Sequence, residues 1–169
     1  ICATEKRALL YQWVDELYEW IDRNEFENYK VFQSFDGKNE SLEFISSERG
    51  KSLIVASRQA DILSYLFNNS DTKKTLVIQD EVHGMGAAGM LKLKGLQKNF
   101  QYTLGLRATP ERGFDQAGSE FIYDEIGSVI YKFGLVDAIK NNILCPFNYH
   151  TIDIELSEND NKKYKDIRG

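Results

Sequence analysis

Proline is almost missing from this chain, with two in 169 residues, and cysteine, histidine and methionine also occur only twice each. Two cysteines, Cys2 and Cys145, are too few for a disulfide framework or, by themselves, a zinc site. They fit a reducing, cytoplasmic setting. Long apolar runs are missing as well. Residues 53–56 and 76–78 are the longest kind present, far below the ~20 residues that a membrane-spanning helix needs. The first ten residues already hold Glu5, Lys6 and Arg7, which excludes a secretory leader there. Positive charge is not in excess: 21 Lys and Arg face 26 Asp and Glu, for a net charge of −5. That balance excludes a histone-like basic binder. It leaves nucleic acid open as a partner, because backbone amides and a few local cations suffice to hold phosphates. The chain starts at Ile1 rather than Met, which predicts a start inside a longer protein.

What is present is a globular composition, 42% hydrophobic and 28% charged, enough to build a core rather than a disordered tail. Leu10, Trp13, Val14, Leu17, Trp20 and Ile21 recur at helical spacing, with Asp15, Glu16, Glu19 and Asp22 between them. This pattern predicts an amphipathic helix with an aromatic stripe against the core. Strand-like runs follow at 31–35, 53–56, 75–78 and 102–106. The second and third are continuously apolar, as in strands buried on both faces. A helical pattern over 59–67 lies between them. The order strand, helix, strand predicts an α/β domain with a mostly parallel sheet and flanking helices. Further on, the pattern predicts a helix over 114–126, a strand over 129–133, a helix over 135–141 and a half-exposed strand over 152–156. Ser157 would cap a last helix over 158–167.

The run Thr75-Leu76-Val77-Ile78-Gln79-Asp80-Glu81-Val82-His83 carries the strongest chemical signal. A buried strand ends there in two adjacent carboxylates and a histidine. Ligands of open α/β sheets bind beyond the carboxyl ends of the strands. Magnesium takes oxygen ligands, usually one or two carboxylates plus substrate phosphates. Asp80 would hold such an ion, and Glu81 would orient and deprotonate an attacking water. Equally, the tetrad suits a polar turn after a core strand. A second strand runs into a polar segment at Leu104-Gly105-Leu106-Arg107-Ala108-Thr109-Pro110. In one sheet, this would put Thr109 on the same edge as Asp80 and Glu81.

These residues resemble the superfamily-two helicases and translocases. Asp80-Glu81-Val82-His83 is similar to the DEAD/DEAH/DEVH box of that family, and Arg107-Ala108-Thr109-Pro110 to its Ser-Ala-Thr motif. The run 105–112, with Phe114-Asp115, resembles the branch of restriction-enzyme motor subunits and XPB-like repair helicases. So does the segment from Asp137-Ala138-Ile139 to Ile143-Leu144-Cys145-Pro146-Phe147. Ala3-Thr4, with Gln12-Trp13 behind it, and Val55-Ala56-Ser57-Arg58-Gln59 resemble two further family motifs. The resemblance implies a RecA-like lobe over 1–156, with 157–169 starting the connection to a second lobe. It implies ATP and magnesium as ligands and DNA or RNA as the track; duplex DNA is the expected one, with restriction or repair as the setting. By the same resemblance Asp80 holds magnesium, Glu81 activates water, and His83 reaches toward the γ-phosphate. Arg107, Ala108 and Thr109 couple hydrolysis to grip, and Thr4, Ser57 and Arg58 face the nucleic-acid backbone.

Three departures qualify that picture. A phosphate-binding loop needs Gly-x-x-x-x-Gly-Lys-Ser/Thr opening a helix. Gly50-Lys51-Ser52 lacks the leading glycine, because position 45 is Ile, and it runs into a strand. The phosphate cradle and a second lobe are therefore expected outside these residues, and the chain alone is expected to be inactive. Arg107 stands where the family has Ser, and would contact DNA or pair with Asp80 or Glu81. Ala3 stands in place of Pro. Gly84, Gly86 and Gly89 suggest a flexible loop, Lys92, Lys94 and Lys98 a solvated face, and Cys145 a buried small hydrophobe. Two other functions compete. A non-catalytic interaction module would keep the lobe and lose hydrolysis. A metal-dependent nuclease is disfavoured, because no Glu-x-Lys occurs in the chain.

Overall fold

The computed structural model describes residues 1–47, 50–107, 116–148, 150–152, 157 and 160. It divides into two compact units, Ile1–Ser128 and Val129–Gly169.

The first unit is built on five strands: β1 (Cys2–Thr4), β2 (Lys30–Ser34), β3 (Ser52–Ser57), β4 (Leu76–Gln79) and β5 (Tyr102–Gly105). Their order across the sheet is β2-β3-β1-β4-β5, and every neighbouring pair is parallel. The expected parallel α/β domain is therefore present. β3 and β4, the strands with the least polar sequence, flank the middle one, and their Ile54, Val55, Ala56 and Val77 are all buried. The middle strand is β1, although its three residues carry too little pattern to be read as a strand.

Side chains alternate across a strand, and two cores follow from this. Leu10 and Val14 of α1 (Arg7–Arg23) pack on Val55 and Phe35, with Trp13 and Leu17 partly buried beside them. On the other face Ala3, Ile54, Ala56 and Val77 meet Leu63, Leu66 and Phe67 of α3 (Ala60–Asn69) and Phe121 and Ile122 of α4 (Gln116–Ile126). A short α2 (Ser41–Ser46) adds Phe44 and Ile45 to that side. The aromatic stripe of α1 is only partly a core stripe. Trp20 is exposed and packs on Phe26, with ring centroids 4.8 Å apart. Seventeen helical residues extend about 25 Å, further than strands of three to six residues reach, so the last turns of α1 overrun the sheet.

Between β4 and β5 the glycine-containing segment forms three packed 3₁₀ turns, Val82–Gly86, Ala88–Leu93 and Gln97–Asn99. Val82, Met85 and Leu93 are buried in the core, so this is a packed segment rather than an open loop.

In the second unit, α5 (Leu135–Lys140) forms where helical spacing places it, with the Asp137 carboxylate accepting the Gly134 N–H at 3.1 Å. The strand expected over 129–133 does not form, and Val129, Ile130, Tyr131 and Phe133 are exposed. β-Branched and aromatic residues favour a strand only when a partner strand takes up the backbone groups, and no described residue pairs with this segment. Cys145 is exposed rather than buried. The strand over 152–156 and the helix over 158–167 fall almost wholly outside the described residues.

Candidate functional site

Parallel strands deliver all their carboxyl ends to one edge. Thr4 is in register with Ser57, and Ala3 with Gln79, which brings Asp80 level with Thr4. The ladder continues past the strands: Asp80 N–H donates to Ala3 C=O at 2.9 Å, and Arg58 N–H to Thr4 C=O at 2.8 Å. On the other side Leu106 N–H donates to Gln79 C=O at 2.8 Å, and Val82 N–H to Leu106 C=O at 2.9 Å. Thr4, Ser57, Arg58, Asp80, Glu81 and Arg107 thus lie along one edge.

Glu81 sits in the left-handed region, with φ 49° and ψ 50°. That conformation costs a residue with a Cβ about 1–2 kcal/mol, so something must hold it. Arg58 does so from below. Its Nη1 donates to Glu81 C=O at 3.0 Å, its Nη2 to Asp80 C=O, and its Nε to Gln79 Oε1 at 3.3 Å. Gly84 makes room for it: a Cβ there would run into Arg58 Nη1. Arg58 is buried, which lowers its pKa, against the opposing pull of Glu5, Asp80 and Glu81. The residue expected to face a phosphate backbone is therefore a tie beneath the acidic turn.

The tie continues inward. Gln79 Nε2 donates to Gln97 Oε1 at 3.0 Å, and both side chains are fully buried. The Glu125 carboxylate, also buried, accepts the backbone N–H of Gln97 at 3.0 Å, of Lys98 at 3.2 Å, and of Gly95. None of Gln79, Gln97 and Glu125 announces itself in sequence. The only cue is that Gln79 is a polar residue inside an apolar strand, a position that demands a partner.

Asp80 is held from the opposite face of the sheet. Trp13 Nε1 donates to its Oδ2 at 2.9 Å, and the Glu81 N–H donates to its Oδ1 at 2.9 Å. Each carboxylate oxygen keeps a lone pair free. His83 Nδ1 lies 3.2 Å from Glu81 Oε2, and both side chains are partly open to solvent. Asp80, Glu81 and His83 are therefore one connected group.

The neighbouring strand ends are different. Thr4 Oγ1 and Ser57 Oγ are buried without a hydrogen-bond partner. Arg107 is partly buried, and its Nε and Nη2 also find none, so neither nitrogen pairs with Asp80 or Glu81. Ala108 and Thr109 lie outside the described residues. Lys92, Lys94 and Lys98 are exposed, as a solvated face requires. Gly50 and Lys51 lead straight into β3, not into a helix.

No three His, Cys, Asp or Glu side chains gather into a metal cage among the described residues. Asp80, with two lone pairs free, instead suits a hard cation that brings its own waters and phosphate oxygens. No helix among the described residues is long and apolar enough to cross a membrane. Compared with family models and with curated proteins, the chain matches none.

Proposed function

We propose that this chain is the first RecA-like lobe of a superfamily-two motor, coupling ATP hydrolysis to movement on duplex DNA. One observation carries the reading: a connected Asp80-Glu81-His83 group shares a sheet edge with two buried, unpartnered hydroxyls, Thr4 and Ser57. Buried hydroxyls without partners are uncommon. Here two of them stand level with the carboxylate pair, where a ligand would supply the missing bonds.

In this reading Asp80 holds magnesium through its free lone pairs, and the ion supplies charge neutralisation at the phosphate oxygens of ATP. Glu81 takes the proton of the attacking water on its carboxylate. His83, 3.2 Å from Glu81, orients that carboxylate and reaches toward the γ-phosphate. Thr4 and Ser57 donate to backbone phosphates of the nucleic acid, which positions without reading sequence. Arg107, with two free donors, adds a cation to the same edge, and Thr109 couples the two ligands.

The test is ATP turnover by the full-length protein with and without duplex DNA, beside Glu81→Gln. We expect DNA to stimulate turnover and the substitution to lower it by about 10²-fold or more, with nucleotide binding retained. Turnover that Glu81→Gln leaves intact would overturn the assignment. No turnover with any nucleic acid would favour a non-catalytic interaction module, and plasmid nicking in magnesium without ATP would favour a nuclease.

A further inference from the structure

We infer that Trp13 is a positioning residue for Asp80, one that fixes the carboxylate in the orientation that receives a divalent cation. The inference rests on the reading of Asp80 as the cation-holding residue and adds a second residue, from another element, to that site.

The argument starts from what α1 needs at this position. Its inward stripe packs on Val55 and Phe35, and Trp13 lies only partly buried beside that cluster. Phe or Leu would fill such a place. Indole differs from them in having one donor and no acceptor. That donor is used: Trp13 Nε1 reaches Asp80 Oδ2 at 2.9 Å, across 67 residues of sequence.

The bond matters because of what else holds Asp80. Among the described residues its side chain accepts one other hydrogen bond, from the Glu81 N–H to Oδ1 at 2.9 Å. One bond to one oxygen leaves a carboxylate free to turn about its terminal torsion, which has broad wells. One bond to each oxygen sets its plane and therefore the directions of the two remaining lone pairs. Arg58 cannot replace the indole, since its donors go to the backbone of Asp80 and Glu81 and to Gln79. The two ties divide the work: Arg58 holds the main chain of the turn, and Trp13 holds the side chain that would meet the cation. Outer partners of this kind change metal affinity without touching the metal.

Trp13 packs against the Leu10, Val14 and Val55 cluster and also lines a cavity of about 350 Å³ with Leu17, Trp20 and Tyr29. Its one donor is directed to Asp80.

The test uses Mn²⁺ alone as the probe, since it shares the preference for oxygen ligands. The chain has two tryptophans, so Trp20→Phe leaves Trp13 as the single emitter. In that background the indole N–H resonance should lie downfield, and Asp80→Ala should move it upfield. Mn²⁺ should quench Trp13 emission saturably, and Asp80→Ala should abolish the saturable part. Replacing Trp13 by its benzothiophene isostere removes the donor and keeps the ring. Mn²⁺ affinity, read from water-proton relaxation, should then fall about tenfold, while the melting temperature stays within a degree or two of the parent.

An isostere that binds Mn²⁺ as tightly as the parent would overturn the positioning role and leave Asp80 as the ligand. Mn²⁺ binding that survives Asp80→Ala would overturn the cation reading itself. An indole resonance unmoved by Asp80→Ala would overturn the hydrogen bond on which the inference stands.

Discussion

The end of β4 and the ends of β1 and β3 lie side by side at one sheet edge, and they are organised in opposite ways. At the end of β4 the acidic turn is tied on several sides. Arg58 takes both carbonyls of the acidic turn, Trp13 and the Glu81 N–H take the two oxygens of Asp80, and Gln79 joins Arg58 to Gln97. At the ends of β1 and β3 the hydroxyls of Thr4 and Ser57 are buried without a partner. The first arrangement stabilises an otherwise unfavourable turn. The second leaves desolvated donors that a ligand would satisfy. A site that must both hold its shape and bind a partner needs both kinds of region, and the sheet sets them a strand apart.

The strongest way to break this contrast is Arg58→Ala. It leaves the Asp80 carbonyl and Gln79 Oε1 without their donor, removes one of two donors to the Glu81 carbonyl, which keeps the Gly84 N–H, and frees the left-handed turn at Glu81. We expect a loss of about 3 kcal/mol, since each stranded buried acceptor costs about 1–3 kcal/mol. The check is the urea midpoint at constant m-value. An unchanged midpoint would mean that Arg58 is not the tie described here.

The opposite sign is expected across the edge. Thr4→Val removes a hydroxyl that has no partner while keeping the shape of the side chain. Stability should rise by about 1 kcal/mol, while affinity for duplex DNA falls. A gain in stability with lost binding is the pattern of a residue kept for a ligand. Loss of stability would show that the hydroxyl already has a partner.

Cys2, two residues before Thr4, gives the smallest effect and sharpens the contrast by reporting whether β1 stays closed. Burial pushes its thiol up to about 12, and Asp80 adds to this, against the pull of Arg58. At pH 8 alkylation should therefore reach the exposed Cys145 and spare Cys2 until the chain unfolds. The thiol is raised in the folded state, so its contribution is complete below its ordinary value of 9.0 and is lost as pH climbs toward about 12. Cys2→Ala should flatten that alkaline decline in the melting temperature, and a decline of unchanged slope would assign it elsewhere.

Much of the sheet was legible because its signal is local. Residues 53–56 and 76–78 are apolar runs bounded by polar residues, and Leu10, Val14 and Leu17 repeat at helical spacing. Burial of Leu10, Val14, Ile54, Val55, Ala56 and Val77 needs no knowledge of their partners, whereas Leu76, in the same kind of run, is exposed. β1 was not legible, since Cys-Ala-Thr carries no pattern and is a strand only because β3 and β4 flank it. The segment 129–133 shows the reverse. It has strand-like residues, yet none of the described residues pairs with it, so it forms no strand and is exposed.

The same division runs through the candidate site. By itself the sequence determined that two carboxylates and a histidine follow an apolar strand, and that Ser57 stands at the end of another. Those statements concern neighbours in the chain, where side-chain chemistry and periodicity suffice. Only the tertiary structure decided that Arg58 lies beneath the turn rather than on the surface, that Trp13 holds Asp80, and that Gln97 and Glu125 anchor the tie. Each of those partners is brought together by sheet order and helix placement across 18 to 67 residues. A hydrogen bond depends on positions to within tenths of an ångström, and no spacing along the chain specifies these until the strands are paired.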